Sequence, residues 1–160
     1  MKKVERSRVL IFHNRQRRRA LNTPLLRRIV RHLLEREFAL AGYELGFHFV
    51  DEIEMARLNK EFLQHDSSTD VITFDHGSSA QHLHGEIFVS IPDAMKQAQE
   101  FGKTWQSEAV RYVIHGLLHL RGYDDLQSAK RRRMKREENR LVEAMESTFA
   151  VQKLAKGRTS

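Results

Sequence analysis

One segment of eleven residues, His115–Asp125, constrains this chain more than any other. It reads HGLLHLRGYDD, with two histidines four residues apart and a glycine three residues after the second. Residues i and i+4 lie on one face of an α-helix, about 6 Å apart, so both imidazoles can reach one ion. Gly122 can adopt the left-handed conformation that ends a helix, and the chain can then fold back. The sequence therefore predicts a metal site with His115, His119 and Asp125 as ligands.

The chemistry of this ligand set points to zinc. Two imidazoles and one carboxylate suit Zn²⁺ and leave a fourth position for water or substrate, which favours a hydrolytic site over a structural one. The helix of zinc metalloproteases reads H-E-x-x-H, and its glutamate is the general base. This chain has Gly116 in that place. A protease of that kind is therefore disfavoured, and any base must come from elsewhere in the chain.

The predicted metal helix is amphipathic. At about 100° per residue, its apolar side chains form one stripe and both histidines lie on the other side of the wheel. The stripe consists of Val110, Val113, Ile114 and Leu117. The histidines are therefore not needed to fill the side of the helix that packs against the core.

Length and composition limit the class of protein. The chain has 160 residues, of which 40% are hydrophobic, and it has no cysteine. One compact domain is expected, and disulfides, cysteine-bound zinc and iron–sulfur clusters are excluded. The apolar runs are short and interrupted by charge, and no signal-peptide pattern follows the amino terminus. We therefore expect a cytoplasmic protein with no membrane partner.

The charge balance predicts a polyanionic partner. The net charge is +7 and the pI is about 10.0, which in a small domain most often indicates nucleic acid. The cations cluster at three places, 15–19, 27–36 and 130–136. Any one cluster could equally be a solvated helix face, but three clusters beside a metal site favour RNA or DNA.

Hydrophobic periodicity predicts an α+β fold. The predicted strands are 9–12, 44–50, 71–74 and 85–91, and the predicted helices are 24–40 (ended by Gly42), 51–63, 92–101, 105–121 and 128–149. Residues 75–84 are predicted to form a loop. We expect a single domain, residues 1–150, with a mixed sheet of about four strands, helices packed on it and the metal site on a central helix. Residues 151–160 are predicted to be a flexible tail.

The His115–Asp125 segment resembles the signature of the YbeY family of bacterial metal-dependent endoribonucleases. Further segments resemble family motifs in the same order, namely Leu58-Asn59, Ser68-Thr69-Asp70-Val71-Ile72-Thr73-Phe74, Gly85-Glu86-Ile87 and the helix end at 98–102. The resemblance covers roughly residues 45–145. It implies cleavage of single-stranded RNA, maturation of the 3′ end of small-subunit ribosomal RNA and a role in ribosome quality control. It also implies that His115 and His119 are zinc ligands.

Two positions depart from the family pattern. The third ligand is a histidine in the family, whereas this chain has Asp125; the adjacent Asp124 matches a non-ligating aspartate of the family but is an alternative ligand. Aspartate binds zinc at a similar distance, although its charge should make the ion a weaker Lewis acid. In addition, Leu63 stands where the family has an arginine that meets phosphate. Leucine cannot donate a hydrogen bond, so either Arg57 or Lys60 replaces that arginine or catalysis is weak.

The remaining polar residues leave alternatives open. Asp70, in the motif with Thr69 and Thr73, is a candidate proton acceptor, but it could also cap a turn or orient a histidine. Two other functions compete with the nuclease. One is an RNA-binding ribosome assembly factor, weakly catalytic or non-catalytic, with a structural metal. The other is a zinc hydrolase of small molecules or peptides, which the positive charge disfavours.

Overall fold

The computed structural model describes residues 7–63 and 70–156, with the backbone alone at residue 63. Its strands are β1 (Arg8–Asn14), β2 (Gly42–Val50), β3 (Val71–Asp75) and β4 (His82–Ser90). Its α-helices are α1 (Thr23–His32), α2 (Glu52–Leu63), α3 (Ile91–Phe101), α4 (Trp105–Leu120) and α5 (Ser128–Thr148). A π-helical turn, Leu33–Glu37, continues α1, and a 3-10 turn, Val151–Leu154, follows α5. The predicted fold class is confirmed.

The four strands form one mixed sheet in the order β1-β2-β4-β3. β1 and β4 run parallel to β2, whereas β3 runs antiparallel to β4. Alternate residues of a strand face opposite sides of the sheet, and those of β2 on one side are buried in the main core: Tyr43, Leu45, Phe47 and Phe49. On the other side, Phe74 and Phe88 pack on a smaller apolar cluster that includes Met55 of α2.

The central helix α4 positions the candidate site. It packs against α3, α5, β3 and β4, and its predicted apolar stripe is buried, with Val113 and Leu117 fully inaccessible. The hydroxyl of Thr104 accepts a hydrogen bond from the Ser107 backbone N–H at 3.2 Å and caps the first turn. The helix is therefore fixed on most of its circumference before any ligand is considered.

Two predicted boundaries are wrong. The segment 75–84 is not a loop throughout, because β4 begins at His82, where it pairs with Gly42, and its Leu83 is fully buried. Gly42 does not end the first helix either. The helix finishes in the π-helical turn, the chain reverses at Ala39 (φ 49°), and Gly42 begins β2.

The prediction of a flexible tail is wrong for residues 151–156. Val151 and Leu154 lie in the main core, and Ala155 forms an antiparallel bridge with Leu21. Val151 and Leu154 are three residues apart, so their side chains lie on the same side of the 3-10 turn, and that side is buried. Within the described ranges, 7–63 and 70–156, no helix is long and apolar enough to cross a membrane.

Candidate metal centre

The turn after α4 brings the predicted third ligand back to the helix. Gly122 has a φ of 95°, a conformation that favours glycine. The N–H groups of Gly122 and Tyr123 donate to the carbonyls of His119 and Leu118, both at 3.0 Å, which satisfies the last turn of the helix. The chain then folds back, so that Asp125 faces the two histidines.

Three side-chain atoms converge at this point. The Nε2 atoms of His115 and His119 are 3.1 Å apart. The Asp125 Oδ2 lies 3.4 Å from the His119 Nε2 and 3.7 Å from the His115 Nε2. The three side chains are each 29–39% exposed. The structure therefore brings the three predicted ligands together at the edge of a pocket, half-buried and open to solvent.

The donor set fits a tetrahedral ion. Nitrogen and oxygen ligands about 2.0–2.2 Å from a tetrahedral zinc ion lie about 3.3–3.6 Å from one another. The three observed separations bracket that range, and the donor types are two imidazoles and a carboxylate. In the part of the chain that the structure describes, this is the one group of three or more histidine or acidic residues able to hold a metal ion.

Asp124 takes a different role from Asp125. Its Oδ1 accepts a hydrogen bond from the Leu126 backbone N–H at 2.8 Å, and its Oδ2 lies 4.0 Å from the Lys130 Nζ. The carboxylate thus stabilises the turn that leads into α5, and it does not belong to the three-residue group.

Glu138 of α5 supports the site and was not predicted from the sequence. Its Oε1 accepts a hydrogen bond from the His115 Nδ1 at 2.8 Å, which leaves the Nε2 atom of that ring free to face His119 and Asp125. A carboxylate that holds the far nitrogen of a ligand histidine fixes the ring orientation and raises its basicity. The signal was present: Glu138 shares a buried helix face with Met134, Leu141 and Met145, where a charged residue is unusual.

The Glu138 carboxylate is charged although it is only 4% exposed. Burial alone would raise its pKa, but hydrogen bonds from His115, Arg111 and Lys135 lower the pKa to about 2. Arg111 and Lys135 both donate to its Oε2, at 2.7 and 3.0 Å. Burial has the opposite effect on a base and by itself lowers the pKa of His115, but the hydrogen bond and the charge of Glu138 raise that pKa above its ordinary value. Glu138 therefore joins α5 to α4 through ion pairs at the base of the site.

Gly116, which directly follows His115 in α4, is packed against the sheet. A Cβ atom at this position would lie 2.7 Å from Cγ2 and 3.0 Å from Cδ1 of Ile87 in β4. No side chain, and least of all a glutamate, fits there without a shift of the helix or the strand. The absence of the metalloprotease base is thus a consequence of how closely α4 approaches the sheet.

We expect Gly116→Ala to lower the free energy of unfolding by about 1–3 kcal/mol, because overpacking outweighs the helix propensity that alanine adds. Urea denaturation measures the change. The matched control is Gly46→Ala, whose Cβ would lie 3.3 Å from the His48 Nε2 and 3.4 Å from the Glu86 Cγ, farther than the Ile87 atoms lie from a Cβ at 116, so a change within about 1 kcal/mol is expected. Equal stability of both variants would show that Ile87 yields without cost.

A pocket of about 610 Å³ lies beside two of the three converging side chains, His115 and Asp125. Asp70 lines it together with His115 and Asp125; its Oδ1 also accepts from the Val71 N–H at 2.9 Å. Four cations line the same pocket: Lys103, Arg111, Arg131 and Lys135. The Arg131 Nε donates to the Asp125 carbonyl at 3.0 Å, which holds this guanidinium beside the site. The pocket therefore combines a candidate metal site with a lining of four cations and four acidic side chains, the latter being Asp70, Glu108, Asp125 and Glu138.

Other residues of the sequence analysis lie elsewhere. Arg57 and Lys60 are not among the residues lining the pocket; Arg57 is 70% exposed and lies 3.9 Å from Glu54. Thr69 and the side chain of Leu63 fall outside the described residues.

Comparisons with known proteins find one matching family model, several similar sequences and a similar solved structure. The family model described as endoribonuclease YbeY matches residues 11–146. A protein of Salinibacter ruber named endoribonuclease YbeY is 34% identical over 135 residues, which cover 79% of this chain and 85% of that protein. One of Chlorobium phaeovibrioides with the same name is 36% identical over 131 residues, covering 82% and 86%. The solution structure of TM1509 from Thermotoga maritima matches with a TM-score of 0.63 at 25% identity, covering 96% of this chain and 99% of that one.

Proposed function

Because this chain belongs to the YbeY family of endoribonucleases, we propose that it is a zinc-dependent enzyme that cuts single-stranded RNA. We further propose that it acts in the cytoplasm on ribosomal RNA, at the 3′ end of the small-subunit RNA, and in ribosome quality control. The observation that carries the proposal is the convergence of His115, His119 and Asp125 at the edge of a pocket with four cations on its wall.

The proposed ligands are oriented by the chain itself. Glu138 holds the His115 Nδ1 proton, so that the Nε2 lone pair points to the site. The Gly122 turn sets the position of the Asp125 carboxylate. A zinc ion bound there supplies Lewis acidity toward a phosphate oxygen or a water molecule. The rest of the mechanism depends on residues that bind the RNA and move protons.

Two cations are suited to bind the phosphates on either side of the cut. Arg111 and Lys135 are paired with Glu138, whereas Lys103 and Arg131 form no salt bridge within 4.0 Å among the described residues. Arg131 is held beside Asp125, and a guanidinium can bind phosphate with two parallel hydrogen bonds. We infer that these two residues supply the phosphate contact that Leu63 cannot make, and that Asp70 accepts a proton in the same pocket.

A second function has one observation in its favour. Leu63 replaces the arginine of the family pattern, and without that donor the chain could be a weakly catalytic or non-catalytic RNA-binding factor in ribosome assembly. In that case the metal would be structural. Binding of RNA without cleavage would distinguish this function from the nuclease.

The test is a cleavage assay on a single-stranded RNA that spans the mature 3′ end of the small-subunit RNA. We expect the purified chain to cut it, to lose activity on treatment with a chelator and to regain activity with added zinc. The same RNA annealed to its complement should remain intact, because a duplex hides the base faces and bends less readily into a pocket. Binding without cleavage of the single strand would support the assembly factor, and cleavage that survives chelation would contradict the metal mechanism.

A further inference from the structure

A second cleft lies beside the metal pocket. Its volume is about 620 Å³, and it lies between the segment that follows β1, helix α3 and the start of α4. Four cations line it, and no acidic side chain does: Arg18, Arg19, Lys96 and Lys103. Among the residues that the structure describes, none of the four has a carboxylate oxygen within 4.0 Å of its charged nitrogens, although the charge of Lys103 acts on a carboxylate nearby, that of Glu108. We name this the flanking cleft.

The arginines of the flanking cleft are held in place from below. Gln16 is only 4% exposed, and its side-chain oxygen accepts hydrogen bonds from the N–H groups of Arg18 and Arg19 at 2.9 and 3.0 Å. Its amide nitrogen donates to the Arg19 carbonyl at 2.7 Å and to Asn14 at 2.8 Å. Three of the four hydrogen bonds of this buried side chain thus hold the backbone of a turn that presents two exposed cations, and the fourth joins that turn to the end of β1.

An aromatic ring lies among these cations. Trp105, the first residue of α4 and the only tryptophan of the chain, is half-buried and lines the flanking cleft beside Met95. Proteins that bind single-stranded nucleic acid combine a cationic groove for the phosphates with aromatic rings on which bases stack. The composition of the flanking cleft matches that combination.

The flanking cleft continues into the metal pocket. Lys103 lines both, and Trp105 and His115 lie ten residues apart on α4, which corresponds to about 15 Å along the helix axis. One extended strand can therefore occupy both, with phosphates passing Lys103. On the basis of the proposed function, we propose that the flanking cleft binds the single-stranded RNA next to the cleavage site, through its phosphates and one base stacked on Trp105.

The test compares two double variants in the full chain, both carrying His119→Ala so that the RNA is not consumed. Arg18→Ala with Lys96→Ala removes two cations of the flanking cleft. Arg17→Ala with Arg132→Ala removes two exposed cations that line neither pocket. The probe is dodecauridylate, and the dinucleotide UpU, too short to span both pockets, serves as reference.

We expect the cleft variant to bind dodecauridylate about tenfold or more weakly than its parent, and the ratio of its affinities for dodecauridylate and UpU should fall accordingly. The slope of log K against log salt should decrease by about 0.7 for each lost phosphate contact, or about 1.4 in total. The control variant should change the affinity by less than twofold. In the parent, dodecauridylate should quench the emission of Trp105.

Two results would overturn the proposal that the flanking cleft binds RNA. One is an equal loss of affinity for dodecauridylate in both double variants, and the other is binding of dodecauridylate without a change in Trp105 emission. If the chain with an intact His119 still cuts single-stranded RNA in that case, the proposed function survives and only the cleft is wrong. If the chain neither binds nor cuts RNA, both fail. Quenching by polyglutamate but not by dodecauridylate would assign the cleft to an acidic protein and overturn the RNA assignment.

Discussion

Asp125→Ala should remove the metal ion from the purified chain and lower RNA cleavage by about a hundredfold or more, whereas Asp124→Ala should do neither. Asp125 places its Oδ2 within 3.4–3.7 Å of both imidazole Nε2 atoms, and its loss leaves two ligands, too few for a stable zinc site. Metal catalysis contributes several kcal/mol to transition-state stabilisation, which sets the expected loss in rate.

Asp124 is the matched control because it is the same residue type, one position away. Its carboxylate caps the turn at Leu126 and lies near Lys130, so its removal affects the turn and not the ligand set. Elemental analysis of both variants beside the parent measures the metal content, and the cleavage assay measures the rate. About one zinc ion per chain in the parent, kept in Asp124→Ala and lost in Asp125→Ala, is the expected result. Loss of metal from Asp124→Ala but not from Asp125→Ala would show that Asp124, and not Asp125, is the third ligand.

Glu138→Gln should weaken zinc binding by about 10- to 100-fold, the usual effect of removing a carboxylate that supports a ligand histidine. The glutamine carbonyl can still accept the His115 proton, but its amide group would then face the donors of Arg111 and Lys135 that now bind Oε2. The neutral side chain also makes the imidazole a weaker base. The zinc dissociation constant, measured by competition with a chelator, reports this effect directly.

Glu137→Gln is the control for Glu138. Glu137 is the preceding residue of α5, and it pairs with Arg140 at the surface; among the described residues, no contact joins it to the three proposed ligands. We expect the zinc affinity of the Glu137→Gln variant to equal that of the parent. A merely structural role of Glu138 would lower the melting temperature of Glu138→Gln while leaving the zinc dissociation constant unchanged, and that result would refute its positioning role.

The sequence predicted the features that depend on local spacing. The His115–Asp125 segment specified helix, glycine turn and convergence of three ligands, because an i, i+4 pair and a left-handed glycine act over a few residues. Glu138 was missed because its partner, His115, is on another helix, and only the packing of α5 on α4 brings the two together.

The other errors also arose from contacts between distant segments. Residues His82–His84 form the start of β4 because β2 begins as early as Gly42 and its first residues pair with them. Residues 151–156 are ordered by the core and by the bridge from Ala155 to Leu21. Each segment carries only a short pattern, Leu83 in the first and Val151 with Leu154 in the second, and so few apolar positions did not outweigh the local propensity for a loop and a tail.

The contact between Gly116 and Ile87 also restricts how new activities can evolve on this fold. A larger residue at 116 requires a compensating change at 87, and each substitution alone would leave either a clash or a cavity. Such a pair is separated from the present sequence by a less stable intermediate, which selection removes when stability is marginal. Innovation is therefore easier at the rim of the pocket, at positions such as Phe101 and Asn139, where single substitutions leave both the core and the proposed catalytic residues intact. The rim, and not the metal helix, is where descendants of this chain should acquire new substrates.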